Sequence, residues 1–324
     1  MRKLLLLFII NIYTVSYSQI IKGTILDLNT KKPIVGASVY INRTFVGTSS
    51  DLNGEFKLDV SKYKSMQLII SSIGYYSKTI TDFSRDKKYI VYLAPKIYEI
   101  KEVVLDIKKS KRKRKRNLKR FKNEFLGTTF NAIDCKIINE KDISFITSID
   151  NDTIKAFASK PILIHNKSLG YKVTYYLDKF EYYKKSQTVF FYGSIIFNED
   201  LSLQNKTYEI KRRKTYNGSR MHFFRSLWLN KLPSSGFIVK SATNNNIKYK
   251  EIVFKDKSDK VFFSFNKETL KIEYWPNVSY ITFNKVDVYF DENGYFDPSG
   301  IIWRGEMGEQ RIADWLPYEY YKEK

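Results

Sequence analysis

Residues 23–76 read GTILDLNTKKPIVGASVYINRTFVGTSSDLNGEFKLDVSKYKSMQLIISSIGYY, and their pattern decides the fold of the first part of the chain. Ala37, Val39 and Ile41 recur with the period of two that turns one strand face to a core and the other to water. Lys32-Pro33 and Asp51-Leu52-Asn53-Gly54 punctuate the run. Proline presets φ, and Asn-Gly tolerates the positive φ of a tight hairpin. Strand-like segments follow at Glu55 to Val60, Met66 to Ser71, Ser77 to Thr81 and Tyr89 to Leu93. Ala94-Pro95 then ends the ladder, because proline cannot donate to it. The spacing predicts a compact β-sandwich. Asp51, Asn53 and Glu55 also present oxygens in the manner of a calcium half-loop. The remaining acidic ligands and the terminal Glu of such a loop are missing, so the hairpin turn is the better reading.

Four blocks in that stretch carry a resemblance. Gly23-x-Ile25-x-Asp27, Pro33-Ile34-x-Gly36-Ala37-Ser38-Val39, Gly47-Thr48-x-x-Asp51-x-Asn53-Gly54-Glu55-Phe56 and Ile73-Gly74-Tyr75 together resemble the carboxypeptidase-like regulatory domain. The resemblance implies a small transthyretin-like sandwich, non-catalytic in its namesake enzymes and also found ahead of the plug of TonB-dependent outer-membrane receptors. Ile97 to Leu105, with its Glu-Val-Val element, resembles the exit of that domain. Further on, Asn131-Ala132, Pro161 to Asn166, Gly305 to Gly308, Arg311 to Asp314 and Leu316-Pro317 resemble exported Gram-negative proteins that join the sandwich to an uncharacterised β-rich domain without a receptor barrel. This implies an address and a fold, and no particular reaction.

The start of the chain agrees with that address. Arg2 and Lys3 form a positive n-region, Leu4 to Ile12 an apolar h-region, and Ser16-Tyr17-Ser18 a small-x-small site before Gln19. Residues 1–19 are therefore read as an export signal, and the apolar run is shorter than the ~20 residues that span a bilayer. No lipid-acceptor cysteine lies near the site. The expected location is the periplasm or the outer membrane, with no transmembrane span in the mature chain. Cys135 is the sole cysteine of 324 residues. It forms no intramolecular disulfide and is expected as a small buried apolar residue. With 25 Tyr and 23 Phe, half-buried strands are favoured over helices.

Between Lys108 and Lys122 the chain carries 11 basic residues and no acidic one, half of the formal net charge of +22. Such a run reads as a nucleic-acid patch, but the export signal argues against that partner. Lys111, Arg112, Lys113, Arg114, Lys115 and Arg116 instead face water, an anionic lipid or an anionic glycan. Leu118, Phe121, Phe125 and Leu126 fall on one stripe at helical spacing, predicting a helix that docks by its C-terminal half while its N-terminal half bears pure charge.

The remainder predicts an antiparallel β-rich (α+β) domain. Aromatic and β-branched stretches at Tyr171 to Phe180, Thr188 to Phe197, Ile247 to Phe254, Lys260 to Phe265, Leu270 to Tyr274 and Tyr280 to Phe290 have strand length. Asp291-Glu292-Asn293-Gly294-Tyr295 repeats the hairpin signal. A second helix is expected near Gly218 to Leu232, with Phe223, Phe224, Leu227 and Trp228 as its stripe and Pro233 as its stop. The organisation is thus mainly β, with a signal at 1–19, a sandwich at 20–96, a linker and basic helix at 97–124, and a β-rich domain at 125–324.

Chemistry is sparsely signalled. His165 and His222 are the two histidines and neither stands in a zinc-peptidase arrangement. Nucleophile elbows, phosphate loops and dinucleotide fingerprints are absent from the sequence. His165 reads as a strand-end residue, and His222 as a residue that caps or packs on the second helix. No metal or cofactor is expected. The one suggestive cluster is WRGEMGEQRIADWLP. Glu306 and Asp314 are its catalytic candidates, and Trp303, Arg311 and Trp315 could hold a sugar by stacking and charge. The favoured reading is that the same residues simply seal a domain, with Arg311 and Asp314 able to pair across one helical turn and Trp303 and Trp315 plugging the sheet end. The sequence favours an exported, non-enzymatic binding or envelope-associated protein. A carbohydrate- or peptidoglycan-acting enzyme and an accessory partner of an outer-membrane receptor are the alternatives.

Overall fold

The structure, a computed structural model, describes residues 19–63, 66–81, 83, 87–96, 107–202, 207–257, 260–265 and 269–320. The export signal and the Glu-Val-Val exit at 97–105 lie outside the described residues.

Seven strands build the N-terminal sandwich: β1 Ile20–Asp27, β2 Ser38–Ile41, β3 Gly47–Ser49, β4 Glu55–Asp59, β5 Leu68–Ser71, β6 Lys78–Ile80 and β7 Lys88–Leu93. They form two sheets, ordered β4-β1-β7 and β3-β2-β5-β6, with β1 and β7 parallel and the other pairs antiparallel. Ile21, Ile25, Val39, Ile41, Phe56, Leu58, Leu68, Ile70, Val91 and Leu93 fill the space between the sheets. The Asp51 carboxylate is spent on its own turn. Its Oδ1 accepts from the amides of Asn53 at 2.9 Å and Glu55 at 2.8 Å, with Gly54 at φ +73°. Asp291 does the same for Asn293 and Tyr295, so both Asn-Gly signals are turns.

The basic run forms α1, Ile107–Leu126, followed by α2 Phe130–Ile133. Six strands come next: β8 Cys135–Ile137, β9 Ile143–Thr147, β10 Thr153–Ala158, β11 Ile162–Asn166, β12 Tyr171–Tyr183 and β13 Thr188–Glu199. β12 is the axis of this sheet. It pairs with β13 from end to end, with β11 at Tyr171 to Tyr175, and with β10 at Glu181 to Tyr183. A bulge between Leu177 and Lys179 inserts Asp178, and Leu177 and Phe180 are buried on either side of it. The extra residue resets the alternation, so both stay on the face that α1 covers. Phe121 stacks on Phe125 at 4.9 Å and meets Phe180 at 4.7 Å, and Phe125 meets Tyr175 at 4.9 Å.

The last part contains α3 Thr207–Tyr216, α4 Arg220–Trp228, β14 Phe237–Lys240, α5 Tyr249–Ile252, β15 Val253–Lys255, β16 Val261–Phe263, β17 Thr269–Tyr274, β18 Asn277–Phe283, β19 Val288–Tyr289, β20 Ile301–Gly305 and α6 Glu306–Glu309. Its sheets are β14-β17-β18-β20 and β15-β16-β19, wrapped around a second core in which α4 buries Phe223, Phe224 and Leu227. Ser219 caps α4 by accepting from the His222 amide. Two expectations are corrected. Ile247 to Phe254 is not one strand, because the Glu251 carboxylate accepts from the Lys248 amide at 2.7 Å and closes the turn that becomes α5. Tyr280 to Phe290 divides at residues 284–287 into β18 and β19, which belong to different sheets. Helices also exceed the expected two, because α2, α3, α5 and α6 are short or weakly patterned.

The sandwich is packed into the rest of the chain. Its β2–β3 loop lies along the free edge of β13, where the Arg43 amide donates to Ile195 O at 2.7 Å and the Phe197 amide to Thr44 O at 3.0 Å. Tyr40 reaches Ser194 at 2.7 Å and stacks on Tyr176 at 5.5 Å. One hydrophobic cluster therefore runs without a break from Ile21 through Phe121 and Phe197 to Tyr320.

Candidate functional site

The C-terminal cluster is divided between the two cores. Pairing of β20 with β18 sets Trp303 opposite Ile281. Its half-buried ring packs on Phe296 at 5.8 Å, Phe224 at 6.1 Å and Phe223 at 6.3 Å, inside the second core. Glu306 opens α6 and is exposed. Beyond α6 the chain crosses to the first core, where Ile312, Ala313 and Leu316 are buried. Trp315 lies there under the Arg43 guanidinium, 4.9 Å away. Trp303 and Trp315 thus do not wall a common site, and exposed Glu306 and buried Asp314 occupy different settings. The fully presented tryptophan is Trp275, 92 % exposed in the β17–β18 turn, which sequence reasoning passed over because no polar cluster flags it.

Arg311 and Asp314 do not form the expected ion pair. Arg311 Nε donates to Glu124 O at 3.1 Å and Nη1 to Gly308 O and Gln310 O, which ties the end of α1 to the tail. Asp314 Oδ1 accepts from Thr129 Oγ1 at 2.8 Å and Asn131 Nδ2 at 2.9 Å. Asn131 in turn bonds Thr215 and Ser168. Asp314 Oδ2 is buried without a hydrogen-bond partner among the described residues, and burial pushes this carboxyl above its ordinary range. A hollow of about 140 Å³ lies nearby, lined by Arg120, Glu124, Gly127, Glu309 and Arg311 among others. It is smaller than the roughly 300–1,000 Å³ of ordinary ligand pockets.

The basic helix presents the larger chemical feature. Lys111, Arg112, Lys113, Lys115, Arg116, Lys119 and Arg120 are exposed. Arg114 departs from the expected set. Its guanidinium turns inward, donating to Ile143 O at 2.6 Å and Glu140 O at 2.9 Å. Asn117, also buried, reaches Thr147 at 3.4 Å. Docking thus extends one turn and more beyond the apolar stripe that the sequence displays, through polar residues a hydrophobicity pattern does not register. Leu118, expected on the stripe, is only half-buried. In this helix the described carboxylate is Glu124, which pairs with Arg120 at 3.3 Å, so the outward cations of the first turns have no acidic neighbour on the helix itself.

The histidines and the cysteine have structural surroundings. His165 Nε2 meets Asp200 Oδ2 at 2.6 Å, and Lys172 bonds the other oxygen at 3.0 Å. Ser202, Lys172 and His165 together hold the Asp200 carboxyl well below the usual carboxylate range. His222 packs among Tyr216, Phe237 and Tyr274 and accepts from the Gly218 amide at 3.1 Å. Cys135 is buried, and burial pushes its thiol up to about 12.

Comparison with known proteins agrees with the first-domain reading. Residues 21–105 match the family of the CarboxypepD_reg-like domain, so the sandwich is a carboxypeptidase-regulatory-like domain. No curated protein sequence matches the chain. Among solved structures, a Bacteroides fragilis protein of unknown function, described as membrane-associated, is similar at 9% identity over 89% of this chain and 94% of its own, with a TM-score of 0.18. A 9R-lipoxygenase from Cyanothece is similar at 9% identity over 68% of this chain and 48% of its own, also with a TM-score of 0.18. Among the described residues no helix is long and apolar enough to cross a membrane.

Proposed function

We propose that this chain is an exported, non-enzymatic protein of the cell envelope that binds an anionic surface through α1. Residues 20–96 and 125–324 act as its two domains, with 97–124 as linker and basic helix. The observation that carries the reading is the outward face of α1, where Lys111, Arg112, Lys113, Lys115 and Arg116 are exposed while the inward face is fixed by Arg114, Asn117, Phe121 and Phe125. A rigidly mounted helix loses no folding entropy when its charges meet a partner. The export signal of residues 1–19 and the regulatory-like domain of residues 21–105 support the envelope address. An enzyme built on Glu306 and Asp314 draws no support from one carboxylate that is exposed and another that is buried and bonded to Thr129 and Asn131.

The test is fractionation of native cells into cytoplasm, periplasm, membrane and medium, with each membrane fraction washed at low and high salt. The proposal expects the protein in the membrane fraction at low salt and its release at high salt, since salt screens exposed charge over about 10 Å at 0.1 M. Recovery from the cytoplasm, or free in periplasm or medium at low salt, contradicts it.

A further inference from the structure

The basic helix does not stand alone. Two turns are locked together beside it: the β9–β10 turn at 148–152 and the β12–β13 turn at 184–187. The Lys184 amide donates to Asp152 O at 3.0 Å, the Lys185 amide to Asp152 Oδ1 at 2.9 Å, and Lys184 Nζ to Asn151 Oδ1 at 2.8 Å. Arg120 lies 4.9 Å over the Tyr182 ring and ties α1 to the same hairpin. Asn117, one residue after Arg116, reaches Thr147 at 3.4 Å at the foot of the first turn, and after burial the charges of Arg116 and Lys113 lower the Lys184 pKa against the opposing pull of Asp152 and Asp150. Lys113, Arg116, Lys184 and Lys185 therefore crowd one end of the molecule. Asp150 and Asp152 are the acidic groups on these turns. Both are engaged locally, Asp150 with Ser148 and the Asp152 amide, Asp152 with the Lys185 amide.

At the tip of the first turn stands Ile149, whose relative exposure of 107 % exceeds that of every other large apolar side chain described. An isoleucine held fully in water gains nothing from the fold, and the charges around its turn, Lys113, Arg116, Lys184 and Lys185 against Asp150 and Asp152, leave the surface beside it net positive. That combination matches the boundary between anionic headgroups and acyl chains, where charge attraction and apolar burial act together. A soluble polyanion satisfies the lysines and leaves Ile149 in water.

We infer that this end of the molecule seats on an anionic phospholipid bilayer, with Lys113, Arg116, Lys184 and Lys185 at the headgroups and Ile149 entering the interface. The inference rests on the surface-binding reading above and names its partner.

The experiment uses the mature chain with Ile149→Cys, labelled with an environment-sensitive fluorophore. Cys135 is 5 % exposed with its thiol pushed up to about 12, so labelling falls on position 149. Vesicles containing phosphatidylglycerol, vesicles of phosphatidylcholine alone, and soluble heparin are added in turn, and binding is followed separately by co-sedimentation. The expected result is a blue shift and brightening with phosphatidylglycerol alone. In the unlabelled protein, Ile149→Ser lowers vesicle partitioning about tenfold, and Lys113→Glu with Arg116→Glu lowers it about fivefold or more per residue. Binding to anionic vesicles without a spectral shift overturns the seating of Ile149 and leaves the basic surface standing. An equal shift with heparin overturns the bilayer as partner. Absence of binding to any anionic partner overturns this inference together with the reading it rests on.

Discussion

The Arg43 guanidinium lies 4.9 Å from the Trp315 ring and 5.0 Å from the Tyr318 ring, and its Nε donates to Leu316 O at 2.9 Å. A residue of the sandwich's β2–β3 loop is thus held by the tail at 315–318, while its own backbone pairs with β13. The same loop receives the tail a second time, where the Phe45 amide donates to Glu319 Oε1 at 2.8 Å. Sandwich, central sheet and tail meet at this residue.

Arg43→Ala removes two cation–π contacts and a charge-assisted hydrogen bond at once, so a loss of roughly 3 kcal/mol is expected. Because the core is shared, the loss should fall on one cooperative transition and not on a separately melting sandwich. Calorimetry of the variant checks this. A two-step melt in which only the first step moves contradicts it.

Gly193 faces Leu177 beside the bulge of β12. A Cβ there would stand 2.2 Å from Tyr176 O and 2.8 Å from the Tyr175 ring. Gly193→Ala is expected to cost about 2 to 3 kcal/mol by forcing strand and ring apart. Denaturant unfolding at constant m-value measures it, and a cost below about 0.5 kcal/mol would show that the hairpin yields freely.

Asp200 sets part of the acid limb of stability. Its carboxyl is held low by Ser202, Lys172 and His165, so the folded state binds its proton less readily than the unfolded chain. The stabilisation is therefore fully present above the ordinary carboxylate range and is lost as pH falls below it. Unfolding midpoints between pH 2 and 7 should drop more steeply in the wild type than in Asp200→Asn. Parallel acid limbs contradict the assignment.

Asp314 has the opposite sign. Burial raises its carboxyl, so the folded state holds the proton more tightly and this group's contribution falls as pH rises through its ordinary range toward the raised one. Asp314→Asn keeps an acceptor for Thr129 and Asn131 and removes the charge. Its stability relative to wild type should improve on going from pH 3 to pH 7. A constant difference across that range contradicts the buried-charge account.

Legibility followed the range of the forces involved. Asp51-Leu52-Asn53-Gly54 and Asp291-Glu292-Asn293-Gly294 were readable because each turn is closed by bonds within five residues. The sandwich strands and α4 were readable because alternation and helical stripes are local records of burial. Ile247 to Phe254 misled because a single carboxylate-to-amide bond at Lys248 curls an otherwise strand-like run. The C-terminal cluster misled for a different reason. Trp303 and Trp315 are close in sequence, yet the chain between them changes cores, and proximity along a chain does not report that. The inward turn of Arg114 was hidden by the cations around it, since its partners, Glu140 O and Ile143 O, are backbone groups far along the chain.

The most direct test of surface binding is co-sedimentation of the mature chain with phosphatidylglycerol-containing vesicles across a salt series, beside a variant carrying Lys111→Glu, Lys113→Glu, Lys115→Glu and Arg116→Glu. These side chains are exposed and make no hydrogen bond or ion pair among the described residues, so the variant should fold. The account predicts tight binding of the wild type at low salt that weakens steeply as salt rises, and negligible binding of the variant at every salt. Equal binding of the two proteins, or wild-type binding that salt does not weaken, would contradict it.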